Sequence, residues 1–293
     1  MLKEAAEISA NQRAFILEAI QKNVRLDGRP FDQFRPLDLT FGAEHGHVRV
    51  QLGKTSVIVR ISAEITTPRP ERECDGIFTI SLELSDMAFP GFETGRQSEL
   101  EIQLSRILDK IIRRSNALDT ESLCIAKGSS CWNVRADVHI VDSDGGLVDA
   151  CCLAIMAGLL HFRLPESTVR DGKVTIYTPE EKVPVPLNIT KIPLSVTFSL
   201  FDEGRISLLD STTSEEAVSD GSVIIALDKT GEIAFYSKPD GTPADPLNMV
   251  SSATVALTKV RELAKFMSNK LEEDVKLREK KHPSTESSAT NER

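Results

Sequence analysis

The sequence lacks the hallmarks of several protein classes. No apolar run reaches the roughly 18 residues of a membrane span. The chain has five cysteines in 293 residues, no Cys-x-x-Cys pair and no signal-peptide pattern, so we expect reduced thiols in a soluble intracellular protein. The five histidines are scattered, and His45 and His47 flank a turn glycine, so we expect no metal and no cofactor.

Positive charge is also scarce, since 35 Lys and Arg face 44 Asp and Glu for a formal net charge of −9. This balance argues against a generally basic nucleic-acid binder, so any contact with RNA or DNA must come from a local patch. Forty per cent of the residues are hydrophobic, which is ordinary for a globular protein and sufficient for two modest domains or one large one.

The most informative stretch runs from Cys131 to Phe162. Alternating apolar residues over 134–140 predict a strand, and Gly145 and Gly146 predict a tight turn. The run ACCLAIMAGLL that follows Asp149 has no polar face, so it predicts a helix buried on all sides.

A glycine turn at the start of a buried helix can present backbone N–H groups to a phosphate. Here the residues after the glycines are Leu147, Val148 and Asp149, which supply no cation and add a negative charge. We therefore expect Asp149 to repel phosphate, so that the turn has the shape of an anion site without the matching chemistry.

A second region combines an apolar and a basic stripe. Apolar residues at helical spacing predict an amphipathic helix over 98–115. The opposite face carries Arg106, Lys110, Arg113 and Arg114, interrupted only by Asp109. This basic stripe is either a solvated helix face, a contact for a phosphate backbone or a subunit interface, and the sequence alone leaves all three open.

The order of predicted elements gives the fold class. Strands followed by helices, without regular βαβ spacing, predict an α+β architecture with mixed sheets and apolar helices between them. We expect an N-terminal helix within 1–24, a first domain over 25–178, a linker over 179–190, a second domain over 191–275 that ends in a long helix, and a disordered tail over 276–293. A turn at Arg25-Leu26-Asp27-Gly28-Arg29 is expected to leave both arginines exposed.

Several segments together resemble one family. They are Arg25 to Arg29, Ser105-Arg106 with Arg113 to Ser115, the run CWNVRADVHIVDSDGG, and Pro184 to Ile189. They are similar to the RNase PH family of 3′-to-5′ phosphorolytic exoribonucleases, and to its eukaryotic exosome-core branch in particular. The resemblance implies an RNase PH-like fold, with a core like that of ribosomal protein S5 domain 2, in two strand-helix subdomains.

The chain departs from the catalytic pattern of that family. Active members place Gly-Thr-Arg after the glycine turn, where this chain has Gly146, Leu147 and Val148. They also carry two aspartates six residues apart, which match Ser214 and Asp220 here. The resemblance therefore implies a subunit without phosphorolytic activity. The alternative is a phosphorolytic exoribonuclease that is active only through a composite site with a partner.

The resemblance also implies partners. The expected partners are RNA and other RNase PH-like subunits in a hetero-hexameric ring, in which a catalytic-type subunit is the nearest dimer partner. RNA-binding cap subunits and a separate hydrolytic exoribonuclease are also expected. No contact with a membrane is expected. Arg106 and Lys110 match RNA-contacting positions, and Arg113 and Arg114 lie close by. The implied roles are RNA threading, rRNA maturation and mRNA decay, in the cytoplasm and in the nucleus including the nucleolus.

Overall fold

The computed structural model describes residues 8–85, 88, 98–170, 173–178, 181–243 and 246–281. Among these residues, no helix is long and apolar enough to cross a membrane.

The first half of the chain forms a mixed six-stranded sheet. Its strands are β1 (Leu37–Phe41), β2 (His47–Leu52), β3 (Thr55–Thr66), β4 (Ile77–Leu84), β5 (Cys124–Ala126) and β6 (Ser130–Asp142). The order is β1-β2-β3-β6-β4, with β5 paired to β6. Strand β4 runs parallel to β6, whereas the other pairs are antiparallel.

The second half forms a four-stranded sheet with the order β12-β11-β13-β14. Its strands are β11 (Leu194–Phe201), β12 (Ile206–Leu209), β13 (Gly221–Leu227) and β14 (Ile233–Gly241). All its pairs are antiparallel, so the expectation of mixed sheets is wrong for this one. Between the sheets in sequence lie the short strands β7 (Arg163–Leu164), β8 (Ser167–Arg170), β9 (Lys173–Ile176) and β10 (Val185–Pro186).

Five α-helices accompany the strands: α1 (Ala10–Gln21), α2 (Glu99–Ile112), α3 (Leu147–His161), α4 (Thr213–Val218) and α5 (Pro246–Lys281). Helix α3 lies between the two sheets, against β2 and β3 on one side and β11 on the other. Every residue from Leu147 to Leu159 is buried, which confirms the predicted all-round burial. Because one hydrophobic cluster joins residues of both sheets and α3, the two halves share a continuous core.

Helix α1 packs on the second half of the chain, where Ile16 and Ile20 form a small cluster with Phe201, Leu208 and Val218. Ser9 caps this helix, accepting a hydrogen bond from the Gln12 N–H at 3.3 Å. The helix thus precedes the first sheet in the chain but packs on the elements of the second. The segment after α1 therefore runs from the second half of the chain back to β1, and its Arg35 contacts the glycine turn that precedes α3.

Helix α5 is longer than its composition suggested, and the prediction that the tail is disordered from 276 is wrong for residues 276–281. Arg278 pairs with Asp274 at 2.5 Å, one helical turn away. It also donates hydrogen bonds to the carbonyl oxygens of Ala43 at 2.8 Å and Gly42 at 2.5 Å, which fastens the helix end to the β1–β2 turn. Residues 282–293 of the predicted tail lie outside the described residues.

The predicted linker begins outside the described residues, at 179–180. Farther along, Val185 pairs with Leu164 and Pro186 with Arg163, so this part is hydrogen-bonded to the first half of the chain. The domain limits themselves stay a prediction.

Candidate functional site: a closed glycine turn and a basic helix

The glycine turn has the backbone geometry expected of it. Gly145 and Gly146 have φ angles of 82° and 66°, and Gly146 caps helix α3. A Cβ atom added to Gly145 would lie 2.5 Å from the carbonyl oxygen of Ser211. The turn therefore needs glycine for its backbone angles, and also because the loop before α4 packs directly against it.

A carboxylate of the chain itself occupies the start of α3. The Gly146 N–H donates a hydrogen bond to Oε1 of Glu216 at 2.9 Å. Glu216 is partly exposed as a residue, but desolvation of its carboxyl group raises its pKa to about 7, even though Gly146 and Arg35 favour the ionised form. The helix N-terminus, which attracts anions, is thus supplied with an internal acidic group.

Asp149 points away from this turn. Its carboxylate accepts hydrogen bonds from the backbone N–H of Thr197 at 2.8 Å and from the Thr197 hydroxyl at 2.9 Å. Burial raises the pKa of Asp149 to about 6. This side chain therefore fastens α3 to β11 inside the core, and its repulsion of phosphate stays a prediction.

Leu147, Val148, Ser214 and Asp220 occupy the other positions of the expected catalytic pattern. Among them, none presents an unpaired acid or a cation to the turn. The side chains of Leu147 and Val148 are buried. Ser214 shares a hydrogen bond with the Thr212 hydroxyl at 3.1 Å. Asp220 accepts a hydrogen bond from the Glu203 N–H at 3.1 Å, so it stabilises the turn after β11 instead.

The arginines near the N-terminus are buried, contrary to expectation. Arg25 and Arg35 are only 2% and 6% exposed, and the Arg29 side chain is 12% exposed, so the prediction of two exposed arginines at the turn is wrong. Arg25 makes a two-point contact with Glu215, at 3.1 Å from Nε to Oε1 and 2.7 Å from NH2 to Oε2.

Asp210 is the centre of this buried cluster. Its carboxylate accepts from NH2 of Arg35 at 2.7 Å, from the Arg35 backbone N–H at 2.7 Å and from NH1 of Arg29 at 3.2 Å. Arg35 in turn donates to the carbonyl oxygens of Asp144 at 2.5 Å and Gly145 at 2.9 Å. The cluster of Arg25, Arg29, Arg35, Asp210 and Glu215 thus ties the N-terminal segment and the second sheet to the back of the glycine turn.

Sequence reasoning missed this cluster because its partners lie 175 to 190 residues apart. The sequence did contain one signal, because three arginines fall within a stretch of eleven residues that begins at the turn. If this stretch packed against the core, the arginines would need acidic partners, and the chain has an excess of acids.

The basic stripe lies where it was predicted, on the exposed side of α2, with Arg106, Lys110, Arg113 and Arg114 all exposed. Arg113 caps the helix end and pairs with Asp109 at 2.8 Å. Arg114 lies beyond the last helical residue, Ile112. Within the described part of the chain, the side chains of Arg106, Lys110 and Arg114 make no ion pair, so they are available to an external anion.

No set of three or more His, Cys, Asp or Glu side chains among the described residues is arranged to hold a metal ion.

Two sheets around a buried helix, with a glycine turn at its start, agree with the α+β architecture expected of an RNase PH-like protein. The model of the 3′ exoribonuclease family, domain 1, matches residues 33–165, and that of domain 2 matches residues 191–259. The chain therefore belongs to the 3′ exoribonuclease family, and both the resemblance and the fold class inferred from the sequence are confirmed.

Within the family, the chain is similar to exosome proteins. It is 46% identical to the exosome complex component rrp45 of Schizosaccharomyces pombe, with 98% of each chain covered. It is 44% identical to the exosome complex component RRP45 of Saccharomyces cerevisiae, with 94% of each covered. A chain of the Archaeoglobus fulgidus exosome, solved with RNA bound to the active site, matches with a TM-score of 0.77 at 29% identity, over 87% of this chain and 97% of that one.

Proposed function

We propose that this chain is a non-catalytic ring subunit of an RNA exosome that supports RNA processing and degradation from the 3′ end. The proposal is based on the glycine turn, where Glu216 accepts the hydrogen bond of the Gly146 N–H. The residues that follow Gly146 are the apolar Leu147 and Val148. Phosphorolysis needs an inorganic phosphate held and oriented for attack. The Glu216 carboxyl group takes up the N–H that a phosphate would need, and the two apolar side chains beside it supply no cation to hold an anion.

The RNA contact lies on α2 in this proposal. Arg106, Lys110 and Arg114 are exposed and free of internal partners among the described residues, and Arg113 lies beside them. Cations on one surface favour a phosphate backbone and give no base specificity. This subunit would therefore hold RNA of any sequence while other subunits do the chemistry.

The partners follow from the similarity to exosome components. We propose that the chain sits in a ring of RNase PH-like subunits with a catalytic-type subunit as its nearest neighbour, below RNA-binding cap subunits and above a separate hydrolytic exoribonuclease. We further propose that this assembly works in the cytoplasm and in the nucleus, including the nucleolus.

Phosphate dependence tests the proposal. The purified chain and the purified complex are each incubated with 3′-labelled and 5′-labelled RNA, with and without inorganic phosphate. We expect no phosphate-dependent shortening and no nucleoside diphosphate product in either preparation. Shortening by the chain alone, lost in Asp220→Asn, would contradict the proposal. Phosphorolysis by the complex only, lost in the same variant, would support a composite site shared with a partner.

A further inference from the structure

Three of the five cysteines come together at one corner of the first sheet. Cys124 begins β5 directly opposite Cys131 on β6. Cys74 lies in the loop that precedes β4. Their exposure is graded, because Cys74 is exposed, Cys124 is partly buried and Cys131 is buried.

The loop that carries Cys74 is hydrogen-bonded on one side of that residue to the β5–β6 hairpin and on the other side to the segment just before β5. The Gly128 N–H donates to the Glu73 carbonyl oxygen at 3.1 Å, and the Gly76 N–H donates to the Thr120 carbonyl oxygen at 2.8 Å. Sγ of Cys124 lies 4.0 Å from the same Glu73 oxygen. With standard peptide dimensions, this places Sγ of Cys124 within about 7 Å of the Cα atom of Cys74.

We propose that Cys74 and Cys124 form a dithiol that a hydroperoxide oxidises to a reversible disulfide, which fastens the loop at 67–76 to the β5–β6 hairpin. In the first step the Cys74 thiolate attacks a peroxide oxygen, the O–O bond breaks, and Cys74 becomes a sulfenic acid as the peroxide leaves as hydroxide or alkoxide. In the second step Cys124 sulfur attacks the Cys74 sulfur, the S–O bond breaks, and water leaves with the Cys124 proton.

The order of the steps follows from the surroundings of each sulfur. Cys74 is the exposed thiol, so the oxidant reaches it first. Desolvation raises the pKa of Cys124, and the negative charge of a Cys74 thiolate raises it further. Conversion of Cys74 to a neutral sulfenic acid removes that charge, which eases the ionisation of Cys124 when it has to attack.

The other cysteines are poor competitors. Cys131 is fully buried on β6, and Cys151 and Cys152 lie inside α3. Burial raises the pKa of Cys152 to about 12 and holds the pKa of Cys151 well above its usual range. A transient disulfide at the surface pair also fits a compartment in which stable disulfides are rare.

Peptide mapping tests the proposal on the full chain and on the assembled complex. The protein is treated with hydrogen peroxide, free thiols are alkylated, and trypsin is added without a reductant. Cleavage after Lys127 separates Cys124 from Cys131, so the three thiols fall in peptides 73–96, 115–127 and 128–135.

We expect a link between peptides 73–96 and 115–127, a mass lower by two hydrogens, and a rise in Tm, all reversed by dithiothreitol. In Cys74→Ser the link and the rise in Tm should vanish, and Cys124 should be alkylated. A link from Cys124 to Cys131, a link between two chains, or oxidation of Cys74 that leaves Cys124 a free thiol would each overturn the proposal.

Discussion

The chain holds two groups of cations that look alike in the sequence and differ completely in the folded protein. Arg25, Arg29 and Arg35 are buried against Asp210 and Glu215 behind the glycine turn. Arg106, Lys110 and Arg114 are exposed on and just after α2 without an internal acid among the described residues. The first group is committed to the fold, and the second is open to a partner.

Under the proposed function, this difference accounts for RNA binding by an acidic protein. A net charge of −9 repels a nucleic acid at long range, so only a local excess of cations can bind it. The carboxylates of Asp210 and Glu215 neutralise the arginines behind the turn, so these arginines have no free positive charge with which to bind RNA. At the turn itself, the Glu216 carboxyl group accepts a hydrogen bond from the Gly146 N–H.

The largest expected effect comes from breaking the interior group. Arg35→Ala leaves Asp210 buried with part of its hydrogen bonds gone, so we expect a loss of about 3–5 kcal/mol in the free energy of unfolding. Denaturant unfolding measures it. The matched control is Arg106→Ala on the exterior, which should change stability by less than about 0.5 kcal/mol. Equal losses in the two variants would erase the distinction between the groups.

A smaller effect concerns pH. The pKa of Glu216 is raised from 4.5 to about 7 in the folded protein, so the stability that its bound proton contributes is complete below about pH 4.5 and is lost as the pH rises through about 7. Glu216→Gln keeps an acceptor for the Gly146 N–H and cannot ionise.

We therefore expect the variant to gain on the order of 2 kcal/mol over the wild type between pH 5 and pH 8, measured by unfolding at each pH. Glu272→Gln, at an exposed position of α5, serves as the control and should leave the profile unchanged. A profile for Glu216→Gln that parallels the wild type would place Glu216 outside the turn.

The smallest expected effect is on the exterior group. Arg106→Glu combined with Lys110→Glu should weaken RNA binding by the complex about tenfold and make binding less dependent on salt, because fewer counterions are released. Filter binding at several salt concentrations measures both. Lys229→Glu with Lys265→Glu makes the same change in net charge at other exposed positions and should have little effect. Failure of the first variant to assemble would instead identify the stripe as a subunit interface.

The sequence predicted the parts that depend on local pattern. Alternation placed β6, the apolar run gave the buried helix α3, and the spacing on α2 gave its two faces. The sequence did not reveal the long-range contacts: the burial of Arg25, the bonds from Thr197 to Asp149 and the role of Glu216 are all set by segments far away in the chain. The end of α5 belongs to this group, since its charged sequence is ordered by Arg278 on the Gly42 and Ala43 carbonyls.

The most direct test of the account is to map where RNA touches this subunit in the assembled complex. A photoreactive RNA is cross-linked, the complex is digested, and the modified peptides are located by mass spectrometry. We expect adducts in the peptides that contain Arg106 to Arg114 and none in those that contain Asp144 to Val148 or Ser211 to Asp220. Adducts at the glycine turn with none on α2 would contradict it.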